Sequence, residues 1–213
     1  MDKLSNAINN FYQAFADVSA PDHIDGCPCC ITEKEIQTLL TTPLRELSQD
    51  DLASYASSAL LTVGSDSDYL YYLPRIVEIS ISDDSWWPDI EVTARAIEST
   101  NIESWPEKRR DALIELLDAV IDHILDSSAY DLIDQWVYAA ARMKLDVRRL
   151  LAKIERNADA VLEYWVDNAQ NLHEERLGNA FWELPNEGHD EIVRWFQSEP
   201  IRKIYSEAYG YGM

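Results

Sequence analysis

"RIVEISIS", Arg75 to Ser82, is the stretch on which the fold class turns. Its β-branched residues suit a pleated strand. A strand needs a partner for its backbone hydrogen bonds, and this one stands isolated in the chain. The residues just before it favour the other reading. Asp66 to Ser80 carries a helical pattern with Pro74 in the middle. Proline lacks a backbone donor and crowds the preceding turn, so a kink or two short pieces are expected there. With its strand candidate set aside, the chain is expected to be all-α.

The flanking segments agree. Leu4, Ile8, Phe11, Tyr12, Phe15 and Val18 recur at helical spacing over residues 3–18. Thr32 and Glu35 form a capping-box pattern ahead of a short helix that turns Ile36, Leu39 and Leu40 inward and closes at Pro43. Ser48 and Asp51 repeat the signal, and the helix they open is expected to reach Gly64 as its C′ residue. "SISDDSWWPDIE", Ser80 to Glu91, reads as a loop that ends where Pro88 starts the next helix. Further helices are expected over 89–99, 105–126, 128–143, 146–156, 158–172, 188–197 and 200–208. Short connections between them imply antiparallel helix pairs, stacked as a bundle or a short HEAT-like solenoid. No linker divides the chain, so residues 1–213 are read as one helical domain.

Charge narrows the function classes. Eighteen Lys and Arg stand against 39 Asp and Glu, a formal net charge of −21. Phosphate backbones and anionic membrane surfaces would be repelled, whereas a basic protein would be attracted and steered. Plain solubility is the ordinary alternative. Residues 65–127 are the most anionic third, with 15 acidic and five basic residues. The N-terminus has no basic n-region followed by an apolar h-region, and no run approaches a membrane span in length. Three cysteines without an export signal point to a reducing cytoplasm.

All three cysteines fall in "DHIDGCPCC", Asp22 to Cys30. His23, Cys27, Cys29 and Cys30 offer zinc-type donor atoms. Their spacing is poor for one ion, because the adjacent Cys29 and Cys30 are expected to diverge. Cys27 and Cys30 have C-x-x-C spacing shortly before a helix, but the βαβ setting of thioredoxin-like enzymes is missing. A cysteine nucleophile with His23 as base would lack a third, orienting group. The ordinary alternative is a tight loop whose cysteines pack as small apolar residues. No cofactor is expected.

"HIDGCPCC", His23 to Cys30, followed by "PLRELSQDDLASYASSALLTVGSDSDYLYYLPRIVEIS", Pro43 to Ser80, with its "LPRIVE" motif, resembles a family of uncharacterised bacterial cytosolic helical proteins. The resemblance covers about residues 20–80. It implies a helical fold with the cysteine loop as a fixed part of its beginning, and it implies no activity. In size and acidity the chain also looks like the immunity proteins that neutralise bacterial toxins.

Two surface features suit a binding role. Glu107, Asp111, Glu115, Asp118, Asp122 and Asp126 step along one face of the helix at 105–126. Like charges four apart repel by about 0.2–0.5 kcal/mol per pair, so the stripe asks for a compensating partner. Arg142, Lys144, Arg148, Arg149, Lys153 and Arg156 are the internal candidates. The second feature is the loop with Asp83, Asp84, Trp86, Trp87, Asp89 and Glu91. Two adjacent tryptophans on a loop cannot both point the same way, so either one anchors the core while the other reaches the surface, or both plug helix ends. Tryptophan is enriched at binding hot spots, and the flanking carboxylates would take Arg or Lys.

Enzyme signatures are missing. There is no paired Glu-x-x-His, no H-E-x-x-H, no P-loop, no G-x-S-x-G and no G-x-G-x-x-G. The leading expectation is a non-enzymatic acidic helical protein that docks a basic partner, in its most concrete form a toxin domain. The docking residues would be Asp83, Asp84, Trp86, Trp87, Asp89, Glu91, Asp111, Glu115, Asp118 and Asp122. The alternative is a metal- or thiol-dependent enzyme centred on His23, Cys27, Cys29 and Cys30.

Overall fold

The computed structural model describes residues 2–83 and 85–210. Among them are eleven α-helices joined by turns and short 3-10 segments, and no strand. The fold is all-α. "RIVEISIS" is the second half of a helix, and its Ile76, Val77 and Ile79 are all buried. The chain divides into two units, residues 1–116 and 117–213.

The first unit begins with α1 (Lys3–Ala14), α2 (Glu33–Thr41), α3 (Gln49–Ser58) and α4 (Asp66–Ser82). It continues through α5 (Ile90–Ser99) into the start of α6 (Glu107–Ser127). Side-chain caps fix the helix starts. Both expected capping boxes form, at Thr32 with Glu35 and at Ser48 with Asp51. A third, Ser65 with Asp68, opens α4. Each satisfies orphan backbone donors and stabilises its helix by about 0.5–2 kcal/mol.

α4 is the organising helix and packs against α1, α3 and α5. Pro74 does not divide it. The helix runs unbroken past the proline, which costs roughly 3 kcal/mol. Burial of Leu73 and Ile76 beside it contributes about 1.5–3 kcal/mol each and offsets that cost. Tyrosines tie α4 to its neighbours. The Tyr72 hydroxyl donates to the Leu39 carbonyl at 3.1 Å, and Tyr12 donates to Glu78 at 2.6 Å.

Three expected boundaries move. α1 ends at Ala14, four residues early. α3 ends at Ser58, and Gly64 belongs to a later turn, where its left-handed φ of 71° lets its N–H reach the Asp25 carbonyl at 2.7 Å. Pro88 does not start α5. Asp89 caps it, accepting from the Val92 N–H at 3.1 Å.

The second unit holds the end of α6, then α7 (Ile133–Arg142), α8 (Arg148–Ile154) and α9 (Ala158–Asn168). α10 (Glu187–Phe196) and α11 (Glu199–Tyr209) complete it. The helix expected over 128–143 is divided into a 3-10 turn at Tyr130–Leu132 and α7, and the one expected over 158–172 stops at Asn168. α7 is buried nearly all round, with Trp136, Val137, Tyr138 and three alanines in the core. Small residues let α10 come close: a Cβ on Gly188 would lie 2.6 Å from the Ala141 Cβ. Among the described residues no helix is long and apolar enough to cross a membrane.

Candidate functional site

Of the two readings of the tryptophan loop, the structure has one ring inside and one outside. Trp86 is 6% exposed, and its indole N–H donates to the Gln49 carbonyl at 3.3 Å. Trp87 is 57% exposed. A buried Trp86 and a buried Pro88 therefore hold an outward Trp87 between them. Asp83 accepts from the Ser85 N–H at 3.0 Å and its hydroxyl at 2.7 Å, which holds its carboxyl below the usual carboxylate range. Asp89 is committed to capping α5, and Glu91 is buried. Asp84 lies outside the described residues.

The acidic stripe also divides. Lys153 Nζ lies 2.8 Å from Asp122 and 3.4 Å from Asp118 and donates to the Asp118 carbonyl at 2.9 Å. Arg149 adds an ion pair to Asp118 at 3.0 Å. The internal cations thus satisfy Asp118 and Asp122. Asp111 and Glu115 are exposed, with no ion pair among the described residues. Of the other cations, Arg142 pairs with Glu183 and Arg148 with Asp146.

The cysteine loop lies between α1 and α2, and its backbone is firmly held. Gly26 forms an antiparallel bridge to Val63, Cys27 N–H donates to the Thr62 carbonyl at 2.9 Å, and Cys30 N–H returns to the Cys27 carbonyl at 2.8 Å. Ile24 and Ile31, on either side, are buried. Only glycine fits at position 26, where a Cβ would come 2.8 Å from Ile31 Cγ2.

The three side chains do not diverge and do not pack into the core. Cys29 is exposed and the other two half-exposed, all as free thiols. The Cys27 and Cys29 sulfurs are 2.7 Å apart, those of Cys29 and Cys30 3.8 Å, and all three lie within 4.8 Å of one another. The closest pair is therefore not the C-x-x-C pair. With Cys29 as donor, the S–H bond eases ionisation of Cys27, whose pKa is lowered. Cys29 is pushed up to about 11 by its bonds to both neighbours and by their charge. His23 stands outside this group of donor atoms. Its ring pairs with Asp22 at 2.8 Å and Asp25 at 3.8 Å, and the Asp22 hydrogen bond raises its pKa.

One polar cluster in the second unit escaped the sequence reading. Asp134 accepts from Asn168 at 3.3 Å and Asn179 at 2.9 Å, while Asn168 accepts from the Gly178 N–H at 2.7 Å. Burial raises the Asp134 pKa against those hydrogen bonds. Nearby Asp167 is pushed up to about 6 by desolvation and by the charge of Asp134. The available signal was Asn168, a polar residue in the inward register of Val161 and Tyr164.

Comparison with protein-family models, with curated proteins and with solved structures gives no match for this chain.

Proposed function

We propose that the chain is a non-enzymatic binding protein whose acidic first unit docks a basic protein segment, with Trp87 as its apolar anchor. The exposure of Trp87 beside a buried Trp86 carries the reading. A large ring held outward on a loop anchored at both sides loses little conformational freedom on binding and gains a large contact area. Charge supports the same class of partner. Residues 1–116 contain 21 acidic and eight basic residues, and Asp111 and Glu115 remain for an outside cation. A toxin domain with a basic active-site surface is the most concrete such partner.

The test is a pull-down from the native host at low and at high salt, using wild type, Trp87→Ala and the pair Asp111→Lys with Glu115→Lys. One stoichiometric basic partner is expected. Raising salt from about 0.15 M to 1 M shortens the screening length from about 8 Å to 3 Å and should slow its association. Trp87→Ala should weaken the complex about thirtyfold or more, as hot-spot residues do. Full retention of the partner by both variants would overturn the reading, as would no stoichiometric partner at low salt.

A further inference from the structure

We propose that Cys27, Cys29 and Cys30 form a binding site for one thiophilic d10 cation, Zn²⁺ or Cu⁺, held by three sulfurs on the loop between α1 and α2. The proposal is independent of the docking reading, which uses other residues.

Convergence is the first support. Metal–sulfur bonds of about 2.3 Å in tetrahedral geometry place sulfurs about 3.8 Å apart. The Cys29–Cys30 separation of 3.8 Å already matches, and all three sulfurs lie within 4.8 Å of one another. The 2.7 Å Cys27–Cys29 pair must open by about 1 Å. None of the three side chains is buried, so a small χ1 rotation meets no core packing.

The second support is what the sulfurs do not do. They fill no core space; their side-chain hydrogen bonds are to one another, and the Cys27 sulfur also accepts from the backbone N–H groups of Cys29 and Cys30. A close-packed group of three thiols has no role in packing, and a cation would replace its mutual crowding with bonds. The third support is preorganisation. The Gly26–Val63 bridge, the Cys27–Thr62 bond and the buried Ile24 and Ile31 fix the loop before any ion arrives. Binding therefore needs little ordering of the chain.

Donor chemistry selects the ion. Three soft sulfurs without an oxygen ligand exclude Mg²⁺ and Ca²⁺, which require oxygen donors. Three sulfurs complete a trigonal Cu⁺ shell, whereas a tetrahedral Zn²⁺ keeps one open position for water. On binding, each S–H that is still protonated gives its proton to solvent and its sulfur to the metal. Up to three protons leave per ion, and no electron is transferred.

The experiment uses the full chain, purified without a histidine tag, reduced and stripped by a chelator. It is loaded with Zn²⁺ in one arm and anaerobically with Cu⁺ in the other, then dialysed. Metal content, alkylation of the three thiols and proton release are measured. The expected result is about one equivalent of metal in at least one arm, with all three cysteines protected from alkylation. The arm that retains metal identifies the ion. A Cys27→Ser/Cys29→Ser/Cys30→Ser variant, its fold checked by circular dichroism, should bind at least about a hundredfold more weakly. A His23→Ala variant should bind like wild type. Should the serine variant misfold, alkylation protection in the wild-type chain decides the matter. Less than about a tenth of an equivalent in both arms would overturn the proposal, since thiolate sites bind tightly at neutral pH. So would unchanged binding by the serine variant, loss of binding in His23→Ala, or thiols that stay reactive in the loaded protein.

Discussion

Replacing Lys153 with methionine removes one cation from a place where two carboxylates converge. Its Nζ lies 2.8 Å from Asp122 and 3.4 Å from Asp118. The Lys153, Asp118 and Asp122 side chains are 19%, 21% and 28% exposed. Fully exposed pairs contribute about 0–1 kcal/mol, and breaking a fully buried one costs about 3–5 kcal/mol. This group lies between those limits. Arg149 still holds Asp118 at 3.0 Å, which confines most of the loss to the Asp122 pair. Methionine keeps most of the buried stem of lysine, so packing changes little. The expected destabilisation is about 2 kcal/mol, or roughly 4–8 °C in Tm for a chain of this size. Thermal melts of wild type, Lys153→Met, Asp122→Asn and the double variant form a cycle that isolates the pair. Asp122→Asn should cost less than Lys153→Met, because it removes the half-buried charge that Lys153 neutralises and leaves Lys153 paired with Asp118. The double variant should then be no worse than Lys153→Met alone. A Tm change under about 1 °C in Lys153→Met, or strictly additive losses in the cycle, would refute the internal neutralisation of the stripe.

Three further outcomes are expected. Trp86→Ala should destabilise the fold by about 3–5 kcal/mol in urea unfolding, whereas Trp87→Ala should change stability by under about 0.5 kcal/mol; equal losses would contradict the division of the pair. Asp167 has a folded pKa of about 6, above its ordinary value, so its ionised form destabilises the fold and the burden is fully present above that pH. Asp167→Asn should therefore raise Tm at pH 8, with the gain shrinking as pH falls from about 6 toward 4; a gain independent of pH would sink this account. Gly188→Ala adds a methyl 2.6 Å from Ala141, and overpacking of about 1–3 kcal/mol should outweigh the helix-propensity gain of up to about 1 kcal/mol. Adding Ala141→Gly should restore the Tm if that contact is the cause.

What the sequence disclosed follows from the range of each interaction. Caps depend on residues three apart, and Thr32 with Glu35 and Ser48 with Asp51 formed as expected. The helical class was legible because apolar residues recur at helical spacing in nearly every segment. The division that Pro74 suggested does not occur, because its cost is local while its compensation is tertiary, the burial of Leu73 and Ile76 within the first unit. Gly64 misled for a similar reason, since its left-handed backbone serves a bond to Asp25, far away in sequence. At the cysteine loop, adjacency suggested divergence. The local backbone turn from Cys27 to Cys30 brings the sulfurs together, and the Gly26–Val63 bridge that anchors the loop depends on a segment more than thirty residues away.

Both docking features behave alike, and that governs how the proposed function can be tested. In each, a repeated residue type is divided between fold and solvent. Trp86 and the Asp118–Asp122 pair are structural, while Trp87, Asp111 and Glu115 face water. Reversing Asp111, Glu115, Asp118 and Asp122 together would place two lysines against Lys153 and Arg149, so lost binding there would report unfolding as readily as a lost interface. Replacing both tryptophans confounds the test in the same way. Only variants confined to Trp87, Asp111 and Glu115 separate the two causes, because their side chains hold nothing that the core requires. If those three leave Tm unchanged and abolish capture of a basic partner, the loss belongs to the interface. If the partner is lost only when Trp86, Asp118 or Asp122 is also changed, the anionic surface of the first unit is a solubilising face, and the chemistry of this chain is to be sought at its three thiols.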